Sequence, residues 1–159
     1  MTNSVKIIGI DPGLQKTGWG IIEVQGSSHK LIDHGLIKPN PKNEMAERLR
    51  FLSEELEAVL TRFDPDRAAI EETFVNQNPT TSLKLGMARG AIILTLAKYG
   101  LSVAEYSPNK IKKSIVGQGH ASKEQMQMMV KVLLPTCGDL SEDEADALAV
   151  AITHAHYGG

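Results

Sequence analysis

The chain carries a single cysteine, Cys137, so it cannot close an internal disulfide or build a cysteine-based zinc site; a reducing compartment is expected. No apolar stretch reaches the ~18 residues that a membrane span needs. The N-terminus also lacks a basic segment followed by an apolar core, so the expectation is a cytoplasmic protein with no membrane partner. A surplus of positive charge is missing too. Lys and Arg number 17 against 19 Asp and Glu, a formal net charge of −2, which argues against coating nucleic acid by bulk charge but permits a local basic groove. There is no internal repeat, linker or low-complexity tract. The 159 residues, 42% hydrophobic and 23% charged, are expected to form one domain over 1–159 with a core of its own.

The charge that is present is unevenly placed. Between Pro108 and Lys131 stand Lys110, Lys112, Lys113, Lys123 and Lys131 against only Glu124, and the next stretch reverses the sign with Asp139, Glu142, Asp143, Glu144 and Asp146. A basic segment followed directly by an acidic one suits a protein that binds a polyanion while holding metal ions beside it.

Val5-Lys-Ile-Ile-Gly-Ile-Asp11, closed by Pro12 and Gly13, reads as a buried strand ending on a carboxylate. Open α/β sheets place their ligand crevices at the carboxyl ends of strands. A carboxylate there is costly to desolvate without a cation, although Asp11 can also serve simply as the cap of the turn before Pro12. Gly18–Val24 and Lys30–Ile37 read as the next two strands, joined by a turn at Gly26-Ser-Ser28, which makes an antiparallel meander. From Asn43 to Phe63 the apolar residues Met45, Leu49, Leu52, Leu56, Val59, Leu60 and Phe63 recur at helical spacing.

Asp64-Pro-Asp66 ends that helix, and Ala68–Glu71 is a short strand again terminating in a carboxylate. With the helix as a crossover, this strand returns parallel to the first, so Asp11 and Glu71 share one sheet edge. A polar loop, 73–79, carries Phe74. A helix over about 81–98 is expected to build on Leu83, Met87, Ala91, Leu94 and Ala97, and Leu101–Tyr106 is a fifth strand. Ser107-Pro108 opens a short helix that Gly117 closes, and Ser122-Lys-Glu-Gln125 and Ser141-Glu-Asp-Glu144 are capping boxes for two more.

Asp143 and Asp146, three apart, share a helix face. Acids in a first turn also favour the helix macrodipole, which is a sufficient reason for Asp143. Asp146 lies one turn deeper, in an Ala-rich segment that reads as buried, where a carboxylate needs a partner. Asp11, Glu71, Asp143 and Asp146, without paired cysteines or a chelating histidine pair, suit hard cations such as Mg²⁺ or Mn²⁺. Two such ions about 4 Å apart can activate a water and stabilise a leaving oxygen in phosphodiester hydrolysis. His154 and His156 point in different directions and read as ordinary end-of-helix residues. Trp19 and the Met126, Met128, Met129 group read as core or interface.

Ile8-Gly-Ile-Asp-Pro-Gly13, Ala69-Ile-Glu-Glu-Thr-Phe74, Leu83-Lys-Leu-Gly-Met-Ala-Arg-Gly90, Lys112-Lys-Ser-Ile-Val-Gly117 and Asp143-Glu-Ala-Asp-Ala-Leu-Ala149 resemble, in order along nearly the whole chain, the RuvC family of bacterial crossover junction endodeoxyribonucleases, which resolve Holliday junctions. The resemblance implies a ribonuclease-H-like α/β fold: a five-stranded mixed sheet, three strands in an antiparallel meander plus two parallel, flanked by helices. It implies a homodimer that nicks a four-way DNA junction symmetrically, leaving 5′-phosphate and 3′-hydroxyl ends, and that works with the RuvA–RuvB branch-migration complex. Carried over by position, Asp11, Glu71, Asp143 and Asp146 are the catalytic, metal-binding acids, joined by two Mg²⁺ with Mn²⁺ as a substitute.

Glu71 rather than Glu72 is selected because the family's glutamate follows the Ala-Ile pair. Some relatives carry histidine where Asp143 stands. Phe74 matches an aromatic used against a base near the junction point, a contact worth roughly 1–3 kcal/mol. Lys112 and Lys123 match basic residues near the scissile strand, and Lys84 and Arg89 are further candidates for phosphate contact.

Two other readings fit parts of the pattern. A strand ending in Asp-x-Gly before a hairpin also begins the phosphate site of actin-like and sugar-kinase proteins, which pair two such lobes. The other is a junction-binding module without activity, against which stands the presence of all four acids.

Overall fold

The computed structural model describes residues 3–72 and 78–158. Among these, the chain runs β1 (Val5–Asp11), β2 (Thr17–Gln25), β3 (Ser28–Ile37), α1 (Met45–Phe63), β4 (Arg67–Glu71), α2 (Pro79–Lys98), β5 (Val103–Tyr106), α3 (Pro108–Val116), α4 (Lys123–Leu133) and α5 (Glu142–Tyr157). The strands form one mixed sheet in the order β3-β2-β1-β4-β5. The β1–β2 and β2–β3 pairs are antiparallel, and β1–β4 and β4–β5 are parallel. This is the meander followed by crossovers that the short turns and intervening helices require. No helix among the described residues is long and apolar enough to cross a membrane.

Strand β1 is apolar at most positions because both its edges and both its faces are covered. Ile8 and Ile10 point with Ile21, Ala68 and Ile70 into a core closed by Leu52, Leu56 and Leu60 of α1 and by Ala88, Ile92 and Leu96 of α2. Ile7 points the other way, with Ile22, Ala69 and Tyr106, into a core closed by α3, α4 and α5. The period of two along a strand then settles where the acids go. Asp11 follows Ile7 and Gly9 on one face, Glu71 follows Ala69 on the same face, and Gly9↔Ala69 and Ile10↔Ile70 are register partners. The two carboxylates thus leave adjacent strand ends on the side occupied by α5.

Helix α5 lies unusually close to the sheet, because glycines stand beneath it. A Cβ on Gly9 would run into the Ala147 carbonyl and stand 2.6 Å from the Ala151 amide, and one on Gly20 would stand 2.6 Å from Leu148 Cγ. A Cβ on Gly18 would meet the main-chain carbonyl group of Asp143. The helix supplies Ala145, Ala147, Ala149 and Ala151, so small residues face small residues. This brings its first two turns, with Asp143 and Asp146, to the end of β1.

The capping signals are in place. Ser122 and Ser141 both form complete capping boxes, and Ser107 caps α3, which closes on Gly117 in the left-handed region at φ 89°. Asp66 is pinned to β1 through its amide to the Lys6 carbonyl and its carboxylate to the Lys6 amide, at 2.8 and 2.9 Å. Trp19 is core, tilted against Phe63 at 5.8 Å. Met126 is buried while Met128 is exposed.

Two expectations need correction. The stripe Leu83, Met87, Ala91, Leu94 and Ala97, on which this helix is expected to build, faces outward except at the half-buried Ala91: Leu83 is 62%, Met87 40% and Leu94 60% exposed. The buried residues of α2 are Ala88, Ile92, Thr95 and Leu96. The helix is apolar on both faces, so periodicity has no single stripe to select. His154 is not an ordinary helix-end residue either. It is buried, and its Nδ1 lies 2.7 Å from the Tyr106 hydroxyl, tying the end of α5 to β5.

Candidate active site

Asp11, Glu71, Asp143 and Asp146 line one cleft of about 360 Å³ at the carboxyl edge of β1 and β4. One oxygen from each of Asp11, Asp143 and Asp146 lies within 4.8 Å of the others. Glu71 lines the same cleft, close enough to Asp11 that each carboxyl perturbs the other. Glu72 does not line it; its amide instead extends the β4–β5 pairing by donating to the Tyr106 carbonyl at 2.8 Å. The same cleft is lined by the apolar Ile111, Met126 and Ala149 and by Lys112 and Lys123.

Each acid is held by local structure. Asp11 and Glu71 sit at strand ends. The N-terminus of α5 is fixed by the Ser141 capping box, in which Ser141 Oγ accepts from the Glu144 amide at 3.2 Å and the Glu144 carboxylate accepts from the Ser141 amide at 3.3 Å. Glu144 also pairs with His34 Nδ1 of β3, which anchors the helix over the meander. Beneath Glu71, the Arg89 guanidinium donates to the Glu71 main-chain carbonyl and pairs with Glu105.

The electrostatics show a site short of positive charge. Burial, then the Glu71 charge, pushes Asp11 up to about 9. Burial, then Glu71, raises Asp146 to about 7, and burial raises Glu71 as well. Such shifts mark carboxylates that are desolvated and mutually repelling. The donor set, all hard oxygens converging from three elements, fits Mg²⁺ or Mn²⁺.

Because these folded-state pKa values lie above the unfolded value of about 3.9, the folded protein holds extra protons between the two. Their stabilisation is complete below that unfolded value and is lost as pH rises through about 7 and then about 9. Without divalent ions, the melting temperature should therefore fall by ~5–10 °C from pH 5 to pH 9, and added Mg²⁺ should restore most of it. A melting temperature flat with pH and indifferent to Mg²⁺ would show that the acids do not act as one cluster.

The other sequence candidates are placed as follows. Lys123 begins α4 and pairs with Glu142, which holds its ammonium charged. Lys112 lies on α3 and contributes positive potential to Glu71. Lys84 lies outside the cleft, in a small pocket with Gly13, Leu14 and Arg48. Arg89 is turned inward, its side chain 16% exposed, with its donors engaged. Phe74 lies outside the described residues. Three contributors escaped sequence reasoning. His34 and the glycines under α5 gave no local signal of a distant partner. Lys16, in the β1–β2 turn, places its ammonium 3.2 Å from Asp143 Oδ2.

A mixed β3-β2-β1-β4-β5 sheet with carboxylates at the ends of its first and fourth strands and on its last helix defines a ribonuclease-H-like protein. A family model described as crossover junction endodeoxyribonuclease RuvC matches residues 7–154, and the chain belongs to that family. It is 55% identical to crossover junction endodeoxyribonuclease RuvC of Azorhizobium caulinodans, with 100% of this chain and 95% of that protein aligned. It is 52% identical to the protein of the same name from Xanthobacter autotrophicus, over 99% and 93%. Among solved structures, T. thermophilus RuvC in complex with Holliday junction substrate superposes with a TM-score of 0.91 at 33% identity, covering 97% of this chain and 94% of that one. The yeast mitochondrial Holliday junction resolvase shares the fold at 12% identity and a TM-score of 0.62, covering 92% and 77%.

Proposed function

We propose that the protein resolves Holliday junctions as a divalent-metal-dependent endonuclease, with Asp11, Glu71, Asp143 and Asp146 holding two Mg²⁺, for which Mn²⁺ can substitute. The convergence of these acids in one desolvated cleft is the observation that carries this reading. The bound ions would supply water activation and stabilisation of the leaving oxygen. The chain's own residues position the strand and balance charge. Lys112 and Lys123 line the same cleft as the acids, where a phosphate drawn toward the ions meets a second source of positive charge. The buried apolar side chains of Ile111, Met126 and Ala149, which also line the cleft, keep that region poorly solvated, which strengthens each electrostatic contact. Arg89 is assigned the role of holding Glu71 by its carbonyl, and Phe74 that of stacking on a base. Lys84 is left as an outlying phosphate contact.

The assembly proposed is a homodimer formed through α2. Its outward stripe of Leu83, Met87 and Leu94 is interrupted by Gly86 and Gly90, above which nothing lies within 4 Å of a built Cβ. A face so apolar between Leu83 and Leu94, and so smooth, suits a second copy of the helix at close approach. Two active sites related by a two-fold axis can engage opposite strands of a junction and make paired nicks. The same reading places the enzyme in the cytoplasm beside the RuvA–RuvB complex.

Incubating the protein with a synthetic four-way junction and with a linear duplex of the same sequence, each with and without Mg²⁺, tests substrate and cofactor together. Symmetric nicks are expected only in the junction with Mg²⁺. Cleavage without any divalent ion, or equal cleavage of the duplex, would overturn the proposal. Junction affinity should also fall steeply between low and moderate salt as phosphate contacts release counterions.

A further inference from the structure

Lys16 is, among the described residues, the one cation that pairs with a carboxylate of the acid cluster, and neither the family motifs nor the sequence reading assigns it a role. It lies in the tight turn between β1 and β2, five residues after Asp11, and its ammonium reaches Asp143 Oδ2 at 3.2 Å with the lysine side chain 51% and the aspartate 26% exposed. The other lysines near the cleft are placed differently: Lys123 is paired with Glu142, and Lys112 lines the cleft from α3. Asp143 is also the outermost of the three clustered aspartates by position, in the first turn of α5, where Gly18 lets its main chain rest on β2.

We propose that Lys16 is a reversible counter-ion of Asp143: its ammonium holds that carboxylate when no divalent ion is present, competes with a cation for it, and on release contacts the phosphate backbone of the incoming strand. This rests on the assignment of Asp143 as a metal-binding acid. The physical argument is one of shared occupancy. A carboxylate oxygen engaged by an ammonium at hydrogen-bonding distance offers less charge to an incoming ion, so that ion must displace the lysine. The displaced side chain is long, half-exposed and anchored in a turn beside Asp143. A DNA phosphate is then the nearest source of compensating negative charge, and its arrival favours both lysine release and ion capture. Lys16 therefore acts through Asp143 as a positioning residue, and it couples the second ion to the substrate. A purely structural lysine in a surface turn has no such linkage, since an exposed ion pair contributes little to folding.

The test is Mn²⁺ binding to the full-length protein without DNA, followed by calorimetry or by the electron-spin signal of free Mn²⁺, on wild type, Lys16→Ala and Lys16→Arg. Lys16→Ala is expected to tighten the weaker Mn²⁺ site roughly three- to tenfold, the range that removing a partly exposed competing charge allows. Lys16→Arg, which keeps the pair, should stay near wild type. Junction binding by Lys16→Ala should lose about one from the slope of log affinity against log salt. Unchanged or weaker Mn²⁺ binding in Lys16→Ala would overturn the proposal. The failure of the underlying metal assignment looks different: wild type itself would bind no Mn²⁺ that Asp11→Asn abolishes.

Discussion

Replacing Asp11 by asparagine is expected to abolish Mg²⁺-dependent cleavage, by at least ~10³-fold in rate, while leaving junction binding intact and making the cation-free protein more stable. The three effects have one cause. Asp11 is the most strongly perturbed acid of the cluster, pushed to about 9 by burial and by the neighbouring Glu71 charge. At pH 8 the folded protein must keep Asp11 largely protonated against its ordinary tendency to ionise, a cost that an amide, uncharged at any pH, does not incur, so the variant should melt higher than wild type by a few degrees, about 1–2 kcal/mol. The same change removes one of the three carboxylates whose oxygens lie within 4.8 Å, so ion binding fails. In the proposed reading, DNA is bound by Lys112, Lys123 and other cations, which this substitution leaves untouched. Cleavage assays on a synthetic junction, gel-shift titration without divalent ions and thermal melts with and without Mg²⁺ check each part. A variant that still nicks at the wild-type rate would remove Asp11 from the metal site.

The second large effect is expected at Gly9, which touches no acid. A methyl there collides with the main chain of α5 at Ala147 and Ala151. Main-chain atoms in the middle of a buried helix cannot swing aside like a side chain, so Gly9→Ala should cost about 3 kcal/mol or more, the upper end for overpacking a core. Relief can come only by lifting α5 from β1, which separates Asp146 and Asp143 from Asp11. Lost cleavage and lost Mg²⁺-induced stabilisation should therefore accompany the fall in melting temperature, even under conditions where the variant remains folded. Gly26→Ala supplies the contrast. Gly26 has a positive φ of 63° but nothing within 4 Å of a Cβ, so strain at that turn should cost about 1 kcal/mol without affecting cleavage. If Gly9→Ala were folded, stable and fully active, close packing of α5 would not be what brings the acids together.

How far the sequence was legible follows from which interactions are local. Strand periodicity puts Asp11 and Glu71 on one face once β1 and β4 are parallel, and a helix crossover between them makes them parallel. Both conditions can be read from adjacent residues. The capping boxes at Ser122 and Ser141 are equally local, and each opens the helix it announces. The α2 stripe was misplaced because Leu83, Met87 and Leu94 are as apolar as Ala88, Ile92 and Leu96. Composition then does not say which face meets the protein's own core and which is left for a partner. Gly9, Gly18 and Gly20 look like ordinary strand glycines until α5, over a hundred residues later in the chain, is laid across them. The pairs His34–Glu144, Arg89–Glu105 and Lys16–Asp143 join elements whose relative placement is a tertiary result. Four acids were identifiable by type and position, but the groups that hold and neutralise them were not.

Everything proposed for the chemistry depends on Asp11, Glu71, Asp143 and Asp146 forming one cation-binding centre. A crystal of the wild-type protein soaked in Mn²⁺, with anomalous diffraction collected at the manganese edge, examines that centre directly. Manganese peaks are expected between these four carboxylates, at oxygen distances of about 2.0–2.3 Å. A fully soaked crystal with no manganese there, or with manganese bound only at other acids, would contradict the account.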